Sequence, residues 1–510
     1  MSPSPGALPL SLSSPIQRWL PADGHTHPLW RREGLLLAEQ ALQARTQVPL
    51  MDLAGQATAR LAMALAPHAR QIWVLAGPGN NGGDGLEAAL HLHQAGRSVA
   101  VWRVAPSAHQ PADAERALAR AQAAGVPIHE GLPPGTDIPG PQDLCIDALL
   151  GLGARRAPEG PLLAAIGWLR QSPATVLAID LPSGLDADSG QPLGKVDHIV
   201  RADHTLSMIA GKPGLLMGHG RDACGTLWLA PLHDGQTDLG PPDAQTNPTP
   251  AARLRPHASH KGTRGDVAII GGESVAQRGL GMRGAAWLAA SAALHAGAGR
   301  TLLGWAEPTP HDGCALPDVM LRHIGALDLP QLTVVIGCGG GRSILPHLGT
   351  VLQHSARLVL DADALNAVAS DAWLQGMLRT RERQHRPTVL TPHPLEAARL
   401  LGCSTGQVQA DRLGAAQQLA EHLCATVVLK GSGTVIAQEG QTPRINTTGN
   451  GRLAIGGSGD VLAGFIGGCW AQHPDPWAAC SQAVWRHGRL ADDWPDDAPL
   501  TASALAQRWH

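Results

Sequence analysis

The 510-residue sequence contains no tyrosine and a single phenylalanine, Phe465, although it has 14 tryptophans. A tyrosine hydroxyl therefore cannot act as an acid or a base in any reaction of this chain. Charged residues make up only 16% of the sequence, and the formal net charge is −3. The sequence lacks the basic excess by which proteins bind nucleic acids, so we expect no nucleic acid partner.

Paired cysteines and long apolar runs are also missing. The eight cysteines are scattered without a CxxC pair or a metal-like spacing. This pattern is typical of reduced cytosolic proteins, and it predicts a cytoplasmic location. No uninterrupted apolar run reaches the roughly 18 residues of a membrane span. The N-terminal segment, rich in proline and serine, does not resemble a signal peptide, so we expect no membrane partner.

The length exceeds what one hydrophobic core usually spans, which predicts two domains. We interpret residues 1–30 as a flexible tail and the polar, proline-rich residues 233–260 as a linker. In residues 31–232 and again in 261–510, short apolar strands alternate with helical segments. This alternation predicts an α/β fold in both domains, with a doubly wound, mostly parallel sheet in the first.

Glycines and oxygen-bearing side chains follow three predicted strands of the first domain. GPGNNGGDG, residues 77–85, lies between a strand and a helix. Asp147 ends the apolar run of DLCIDALLG, and Asp180 and Ser183 follow that of LAIDLPSG. Ligands of open α/β sheets bind beyond the carboxyl ends of the strands, and oxygen-rich clusters suit hard cations. The alternative, that these residues only cap loops or helices, remains open.

The segments GPGNNGGDG, DALLGLGARR, AIDLPSG and TLSMIAGKPG resemble the NAD(P)H-hydrate epimerase family over about residues 31–232. The resemblance implies a Rossmann-like fold and interconversion of the two C6 epimers of hydrated NADH and NADPH, called NADHX and NADPHX. It places Asp180 at the nicotinamide ring, where partial burial would suit it to acid/base work, and a potassium ion on Asn81, Asp147 and Ser183. The implied contacts of the hydrated dinucleotide are Asn80, Asn81, Gly82, Gly83, Asp84, Gly151, Leu152, Gly153, Ala154, Arg155, Arg156, Ala157 and Asp180. Lys212 matches a lysine of the family pattern, and a purely structural ion pair is the open alternative.

GGSGDVLAGF, residues 456–465, places glycines and a serine directly before a helical, apolar run. Main-chain N–H groups at such a helix start can bind phosphoryl oxygens. Phosphoryl transfer also needs a base near the attacking hydroxyl, and Asp460 would supply it while facing the acceptor. The alternative is an ordinary aspartate in the first turn of a helix.

KGSGT, residues 430–434, follows another predicted strand. Its glycines admit a nucleotide closely and Lys430 can neutralise phosphate charge, although a plain β-hairpin turn is the alternative. Asp361 and Asp363 in LVLDADALN end a strand, where they orient substrate or Mg²⁺ or serve only the structure. His393 lies between prolines in TPHP, a rigid loop.

The Gly-x-Gly-Asp turn near the C-terminal end resembles the ribokinase-like superfamily. HKGTRGDVAIIGG, GMRGAAWLAASAALHAGAG, LVLDADALNA, LTPHPLEAARLLG, VVLKGSGTVIA and NTTGNGRLAIGGSGDVLAGFIGG narrow the resemblance to the ADP-dependent NAD(P)H-hydrate dehydratase family over about residues 250–510. The resemblance implies that ADP, with Mg²⁺, phosphorylates the C6 hydroxyl of the S hydrate. Phosphate then leaves, and the products are NAD(P)H, AMP and phosphate.

By this second resemblance, the contacts of the hydrated nucleotide are Ala285, Gly339 or Gly341, His393 and Asp460. The implied contacts of ADP are Lys430, Gly431, Ser432, Gly433, Thr434 and Gly459. The sequence departs from the family pattern at Cys338, where proline is usual, at Leu395, where glycine is common, and in NGRLAIGGSGD, which lacks Pro-Gly-Met. These departures affect loops and leave Asp460 in place.

The sequence therefore predicts a bifunctional enzyme for small-molecule substrates, with an epimerase domain and a dehydratase domain. The alternative is a ribokinase-like small-molecule kinase fused to a non-catalytic, Rossmann-like binding module. Helix faces built from small residues, such as AAWLAASAALHAGAG, also lead us to expect a homo-oligomer.

Overall fold

The computed structural model describes residues 15–19, 25–107, 110–135, 138–233, 238–251, 256–307, 313 and 315–509. They form two compact units, and the chain passes from the first to the second between Asp243 and Ala244. Each unit contains a mainly parallel sheet and many helices. The predicted α/β class with two domains is thereby confirmed.

The first unit contains the following strands: β1 Gln17–Arg18, β2 Pro28–Leu29, β3 Ile72–Ala76, β4 Val99–Arg103, β5 Ile128–Glu130, β6 Leu144–Ala148, β7 Thr175–Ile179, β8 His204–Met208 and β9 Thr226–Ala230. Its helices are α1 Arg32–Arg45, α2 Leu50–Leu65, α3 Asn80–Gln94, α4 Ala112–Ala123, α5 Gly160–Gln171 and α6 Gly220–Ala223, with 3-10 turns at Val196–His198 and Pro213–Leu215.

The sheet of the first unit has the strand order β1-β9-β8-β7-β6-β3-β4-β5. All neighbours pair in parallel except β1 and β9. From β3 the chain builds outward through β4 and β5, and then returns to the other side of β3 with β6. This reversal creates a crevice beyond the carboxyl ends of β3 and β6, the place where doubly wound sheets bind ligands. All five residues of β6 are buried, as expected for a strand covered on both faces.

Strand β1 corrects the extent of the predicted tail of residues 1–30. Gln17 and Arg18 pair with β9, and the Trp19 side chain is only 4% exposed. The Trp19 indole packs where a Cβ on Gly211 would collide with it, so the segment is held by apolar burial. The predicted tail residues 1–14 and 20–24 lie outside the described residues.

The predicted linker, residues 233–260, is likewise not uniform. Ala244–Thr246 forms a strand, β10, which pairs in parallel with a strand of the second unit at Arg444–Ile445. Residues 234–237 and 252–255 of the linker lie outside the described residues. A three-residue strand is too short to show a period of two in the sequence, so the pattern did not reveal it.

After β10, the second unit contains these strands: β11 Asp266–Gly271, β12 Arg300–Trp305, β13 Val319–Leu321, β14 Thr333–Ile336, β15 Arg357–Leu360, β16 Thr388–Leu390, β17 Thr426–Leu429, β18 Val435–Ala437 and β19 Arg444–Ile445. Its helices are α7 Val275–Arg278, α8 Arg283–His295, α9 Leu345–His354, α10 Ala362–Ser370, α11 Ala372–Arg383, α12 Pro394–Leu401, α13 Thr405–Ala410, α14 Arg412–Leu423, α15 Ser458–Ala471, α16 Pro476–Asp492 and α17 Ala502–Ala506. Its 3-10 turns are Lys261–Arg264, Ile324–Ala326, Leu329–Gln331 and Gly451–Leu453.

The sheet of the second unit runs in the order β13-β12-β11-β14-β15-β16-β17-β18-β19-β10. The strands from β13 to β17 are parallel, whereas β18 pairs antiparallel with both β17 and β19. The order reverses between β11 and β14. The loops that follow β14, β15, β16 and β17 therefore emerge at one edge of the sheet.

Helices α8 and α15 pack closely through small residues. A Cβ on Gly464 would collide with the carbonyl of Ala289, and one on Gly468 would lie 2.7 Å from the carbonyl of Ala293. Close contact of this kind fixes the position of α15, whose first turn carries Asp460. The small-residue faces that suggested self-association are thus buried within one chain.

In the described part of the chain, none of the helices has the length and apolar character that crossing a membrane requires.

Candidate active sites

A cavity of about 620 Å³ lies in the first unit, at the crevice where the strand order reverses. The residues that the sequence predicted as substrate contacts and that line this cavity are Asn80, Asn81, Asp84, Gly151, Leu152, Gly153, Ala154 and Asp180. Three segments far apart in sequence therefore converge as expected for the carboxyl ends of parallel strands.

Five predicted substrate contacts do not line the cavity. Gly82 lies so close to the main chain of Gly77 that a Cβ would collide with it, and a Cβ on Gly83 would be 2.6 Å from the Met51 sulfur. These two glycines allow α3 to approach its neighbours closely, a packing role. The others, Arg155, Arg156 and Ala157, are exposed. Their contacts with a ligand remain predictions.

Asp180 and Lys212 form a buried ion pair in the cavity wall. The Lys212 Nζ lies 2.6 Å from Asp180 Oδ1, and the Lys212 side chain is almost fully buried. The same ammonium donates to Ser207 Oγ at 3.0 Å and to the Met208 carbonyl at 3.2 Å. Asp180 has a left-handed backbone with φ of 69°, which is uncommon for a residue with a Cβ. The ion pair that the sequence analysis kept as the alternative for Lys212 is therefore present, and both of its residues line the cavity.

Acidic side chains dominate the rest of this cavity. Glu39 and Asp113 line it together with Asp84 and Asp180, and Lys212 is the single base among the described lining residues. Burial, followed by the charge of Asp180, raises the pKa of Glu39 and raises that of Asp84 well above its usual range. Glu39 escaped the sequence analysis because it lies on α1, in a segment that showed only helical periodicity.

Asp147 and Ser183, two predicted ligands of the cation, are in direct contact. The Asp147 carboxylate is fully buried and accepts hydrogen bonds from Ser183 Oγ at 2.6 Å, Ser183 N at 2.8 Å and Leu149 N at 3.2 Å. Burial raises the pKa of Asp147 to about 6, and the influences that lower it are these hydrogen bonds. A buried carboxylate held only by neutral donors is a group that a cation would stabilise.

Asn81, the third predicted ligand, packs against the neighbouring loop. Its side chain is 7% exposed, and its Nδ2 is buried without a hydrogen-bond partner among the described residues. A Cβ on Gly151 would be 3.0 Å from Asn81 Oδ1, so this amide oxygen faces the loop that follows β6. The three predicted ligands offer only oxygen, which fits a hard cation.

The second unit brings a thiol, two carboxylates and a lysine together at the carboxyl ends of its parallel strands. Cys338 follows β14, Asp361 follows β15 and Lys430 follows β17, while Asp460 is the third residue of α15. The Cys338 Sγ and carboxylate oxygens of Asp361 and Asp460 lie within 4.8 Å of one another. The Lys430 Nζ donates to Asp361 Oδ1 at 2.8 Å. Lys430 thus pairs with Asp361 and leaves Asp460 without that ion pair.

Asp460 has the electrostatic character of a base that works near neutral pH. Burial, followed by the charge of Asp361, raises the pKa of Asp460 to about 6, although Lys430 and the Cys338 thiol lower it. A carboxylate with a pKa close to the working pH both accepts and returns a proton efficiently. This environment argues against an ordinary first-turn aspartate, which is solvated and has a low pKa.

The start of α15 forms a candidate phosphate site. Its N-cap, Gly457, has φ of 93°, a conformation that glycine adopts without strain. A Cβ on Gly459 would be 3.3 Å from the Lys430 Nζ, so the ammonium lies beside the first turn. The buried His487 donates from Nε2 to the Ser458 carbonyl at 3.0 Å, and burial lowers the pKa of His487 to about 4, which keeps it neutral. His487 has no local motif, and the sequence analysis missed it.

Residues Lys430–Thr434 connect β17 to β18, which pair antiparallel. The alternative of a β-hairpin turn therefore describes their geometry correctly. Gly431 and Gly433 have φ values of 136° and 68°, so the loop uses backbone conformations that favour glycine. A hairpin loop of this kind remains compatible with nucleotide binding, which stays a prediction.

His393 caps the start of α12. Its Nδ1 accepts from the main-chain N–H groups of Leu395 and Glu396, both at 3.2 Å, and its Nε2 lies 3.2 Å from Glu396 Oε1. Both ring nitrogens are thus engaged, and burial lowers the pKa of His393. Its side chain is nevertheless 45% exposed. The contact of His393 with the hydrated nucleotide stays a prediction.

The loop after β14 contains the predicted glycines, and a glutamate that was not predicted lies against it from the segment after β11. A Cβ on Gly339 would be 2.9 Å from the Cβ of Ala285, so these two predicted contacts adjoin. Glu273, which follows β11, lies where a Cβ on Gly341 would collide with its carboxylate. The Gly341 N–H donates to Asp363 Oδ2 at 2.8 Å, which gives Asp363 a structural role. The structure places Glu273 and Gly341 at the edge where the strand order reverses.

Two family models match the chain in the order of the two units. One, described as YjeF-related protein N-terminus, matches residues 47–214, and the other, described as NAD(P)H-hydrate dehydratase, matches residues 267–508. The bifunctional NAD(P)H-hydrate repair enzyme of Escherichia coli is 36% identical over 491 residues, which cover 91% of this chain and 89% of the relative. The corresponding enzyme of Coxiella burnetii is 36% identical over 463 residues, 88% of this chain and 90% of the relative.

Two solved structures are each similar to about half of the chain. The ADP/ATP-dependent NAD(P)H-hydrate dehydratase of Bacillus subtilis, co-crystallised with ATP and Mg²⁺, is 31% identical, with a TM-score of 0.43, and covers 50% of this chain and 90% of its own. A ribokinase-like superfamily protein from Enterococcus faecalis is 28% identical, with a TM-score of 0.42, and covers 50% of this chain and 88% of its own.

Proposed function

The chain belongs to the family of bifunctional NAD(P)H-hydrate repair enzymes, and from this premise we propose how its two units divide the reaction. The two sequence resemblances, and the enzymatic function that they implied, are confirmed by this membership. The first unit epimerises hydrated NADH and NADPH, and the second dehydrates one epimer with a nucleotide as phosphoryl donor. Each reaction is assigned to the strand-end cluster of carboxylates in its own unit.

Asp180 is the acid and base of the first reaction. The C6 hydroxyl of the hydrate is attached next to the ring nitrogen, whose electron pair can expel the oxygen as water when an acid protonates it. Water returns to the other face of C6 when a base removes its proton. Lys212 holds the Asp180 carboxylate in the cavity wall at 2.6 Å, which fixes the direction of this proton transfer.

The potassium ion expected for the first unit fits the residues present. Asn81, Asp147 and Ser183 would hold it, and the buried Asp147 carboxylate, which no described side chain pairs with a positive charge, would gain a cation. When bound, such an ion fixes the loops after β3, β6 and β7 and attracts the phosphates of the dinucleotide. Its identity stays a proposal.

Asp460 is the base of the second reaction. It takes the proton of the C6 hydroxyl as the hydroxyl oxygen attacks the β-phosphorus of ADP, and AMP leaves. The first-turn N–H groups of α15 and the Lys430 ammonium stabilise the charge on the transferring phosphoryl group. Phosphate then departs with the C6 oxygen, and loss of a proton from C5 restores the ring double bond.

Mg²⁺ would neutralise the phosphate charge of the donor when it is bound. Asp361 is the buried carboxylate beside Asp460, but its Oδ1 already accepts from Lys430 and from Thr391 Oγ1 at 2.6 Å. We therefore expect Mg²⁺ to be held mainly by the phosphates of ADP. The choice of ADP over ATP, the homo-oligomeric state and the cytoplasmic location also remain proposals, the last supported by seven free thiols among the described cysteines.

The observation that carries the proposal is the position of Asp460 in the first turn of α15, beside an Asp361 carboxylate that is paired with Lys430, and burial there raises the pKa of Asp460 to about 6. The test is an optical assay with both epimers of NADHX, potassium, magnesium and either ADP or ATP. Full recovery of the reduced-nicotinamide absorbance supports two activities. Recovery that stops at the fraction of one epimer removes the epimerase from the proposal. A stable phosphorylated product without recovery would support the alternative, a small-molecule kinase with a binding module.

A further inference from the structure

Arg412 lies behind the hairpin loop Lys430–Thr434, which we call the nucleotide loop. It is the first residue of α14, and its side chain is almost fully buried. Its Nη2 points at three carbonyls of this loop and its flanking strand: Leu429 at 3.2 Å, Lys430 at 3.2 Å and Gly433 at 3.4 Å. One guanidinium nitrogen thus gathers main-chain oxygens from both arms of the hairpin.

The position of Arg412 is electrostatically unfavourable. A cation in the first turn of a helix is repelled by the helix dipole, and a buried guanidinium loses its hydration. Its hydrogen-bond acceptors are neutral, namely the three carbonyls and Gln409 Oε1 at 2.9 Å, and its Nε is buried without a partner among the described residues. Burial lowers the pKa of Arg412 to about 10. Helix stability therefore does not explain this residue, whereas the conformation of the loop does.

The carbonyls that Arg412 holds determine where the loop N–H groups point. In a planar trans peptide, the C=O and the following N–H point in opposite directions. Because the carbonyls of Lys430 and Gly433 face Arg412, the N–H groups of Gly431 and Thr434 face the other way. Gly431 itself lies directly in front of the guanidinium, since a Cβ there would be 3.0 Å from Arg412 Nη1.

We propose that Arg412 is a positioning residue of the second site, which shapes the nucleotide loop so that its N–H groups and Lys430 meet the phosphates of a nucleoside diphosphate. The proposal rests on the proposed function, in which Lys430 of this loop stabilises the phosphoryl group of ADP. Arg412 does not touch the donor; it acts through the loop backbone. Its loss should therefore weaken the use of the nucleotide more than that of the hydrate.

Arg381 provides a matched control within the same unit. Its guanidinium is also buried, also donates to main-chain carbonyls, those of Leu352 at 2.7 Å and Ser355 at 2.8 Å, and burial also lowers its pKa to about 10. It lies in the last turn of α11, and these carbonyls belong to the end of α9 and the residue after it, outside the candidate site. Replacement of either arginine by lysine removes the same kind of contact.

The experiment compares Arg412→Lys and Arg381→Lys in the full chain, with steady-state dehydration measured while ADP or the hydrate is varied. We expect Arg412→Lys to raise the KM for ADP about 10-fold to 100-fold, because a misplaced loop loses ligand contacts. The KM for the hydrate and kcat should stay within about twofold. Arg381→Lys should leave all three within that range, while both variants lower Tm. Equal changes in the KM for ADP, or none in a folded Arg412→Lys, would overturn the proposal.

Two further variants separate the possible failures. Lys430→Met should raise the KM for ADP if the loop binds the nucleotide; if it does not, the proposed function fails with it. If Lys430→Met acts and Arg412→Lys does not, only the role of Arg412 is refuted. Should Arg412→Lys not fold, Gln409→Leu removes one acceptor of the guanidinium from a half-buried side chain, and the proposal requires a smaller rise in the KM for ADP. An unchanged KM for ADP in that variant counts against it.

Discussion

The two units differ in which aspartate is paired with a lysine at the candidate site. Both place the aspartate that we propose as the proton carrier near the point where the order of a parallel sheet reverses, in a cluster of acidic side chains. In the first unit Lys212 forms an ion pair with Asp180 itself, with Nζ 2.6 Å from Oδ1. In the second unit Lys430 forms an ion pair with Asp361, which lies beside Asp460, with Nζ 2.8 Å from Oδ1. The pKa of Asp460 is raised to about 6. Under the proposed function, the lysine orients the proton carrier in the first unit, whereas in the second it is left to neutralise phosphate charge.

Asp460→Asn should have the largest effect, because it should remove the activity of the second unit and leave that of the first. Without a carboxylate no group takes the proton of the attacking hydroxyl, and we expect ADP-dependent dehydration to fall about a hundredfold to ten-thousandfold. Epimerisation, followed separately by chromatography of the two hydrates, should be unchanged. Asp371→Asn, which alters a cap of α11 outside the site, is the control. Loss of both activities in Asp460→Asn would contradict the assignment of one reaction to each unit.

Asp180→Asn should have the complementary effect. Epimerisation is expected to fall by about a hundredfold or more, since the proton carrier is lost. Conversion of the preferred epimer with ADP should continue at the original rate. Asp203→Asn serves as the control, because Asp203 supports the Val176 N–H at the opposite end of the sheet. If dehydration stopped in Asp180→Asn, the division between the units would be wrong.

The pH dependence of dehydration tests whether the charge of Lys430 lowers the pKa of Asp460. Activity with the original chain should rise as Asp460 ionises around its pKa of about 6. Because the charge of Lys430 lowers this pKa, Lys430→Met should move the acid limb of kcat/KM to higher pH. Asp361 raises the same pKa, so Asp361→Asn should move the limb to lower pH. Shifts in the same direction for both variants would exclude this electrostatic coupling.

The smallest effect is expected at Cys338. Its thiol donates to Asp361 Oδ2 at 3.8 Å and also lowers the pKa of the adjacent Asp460, so Cys338→Ala should move the same acid limb slightly upward. We expect kcat at neutral pH to change by less than about threefold, as for a weak thiol donor. Cys480→Ala, at another fully buried thiol, should leave the limb where it is. A large loss of activity in Cys338→Ala alone would mean that the thiol has a direct role.

The site residues that could be predicted from the sequence are those at the carboxyl ends of parallel strands. Asp147, Asp180 and Asp361 directly follow or end apolar runs, and the rule for parallel sheets is enough to bring each near its partners. Glu39, Arg412 and His487 could not be found in that way. They lie on helices whose rotation about their axes is decided by packing against distant segments, and their local patterns are ordinary amphipathic ones.

Two short strands, β1 and β10, were not predicted for a related reason. Strand β1 is two residues long and β10 three, so neither can show a period, and both are stabilised by partners found far along the chain. Conversely, Gly82 and Gly83 belonged to a convincing glycine-rich motif, although the structure uses them to pack α3. The motif thus lies at the cavity, although only some of its residues line it.

The packing of α15 against α8 has a consequence for how this chain tolerates mutation. Gly464 and Gly468 lie one and two turns after Asp460 on α15, and each faces the main chain of α8 so closely that no larger residue fits there. A methyl group added at either position would have to push the helix aside, and Asp460 would move with it. A saturation mutagenesis map should therefore show these two glycines as intolerant as the reactive aspartate. Their phenotype would look catalytic, although its origin is the spacing between two helices.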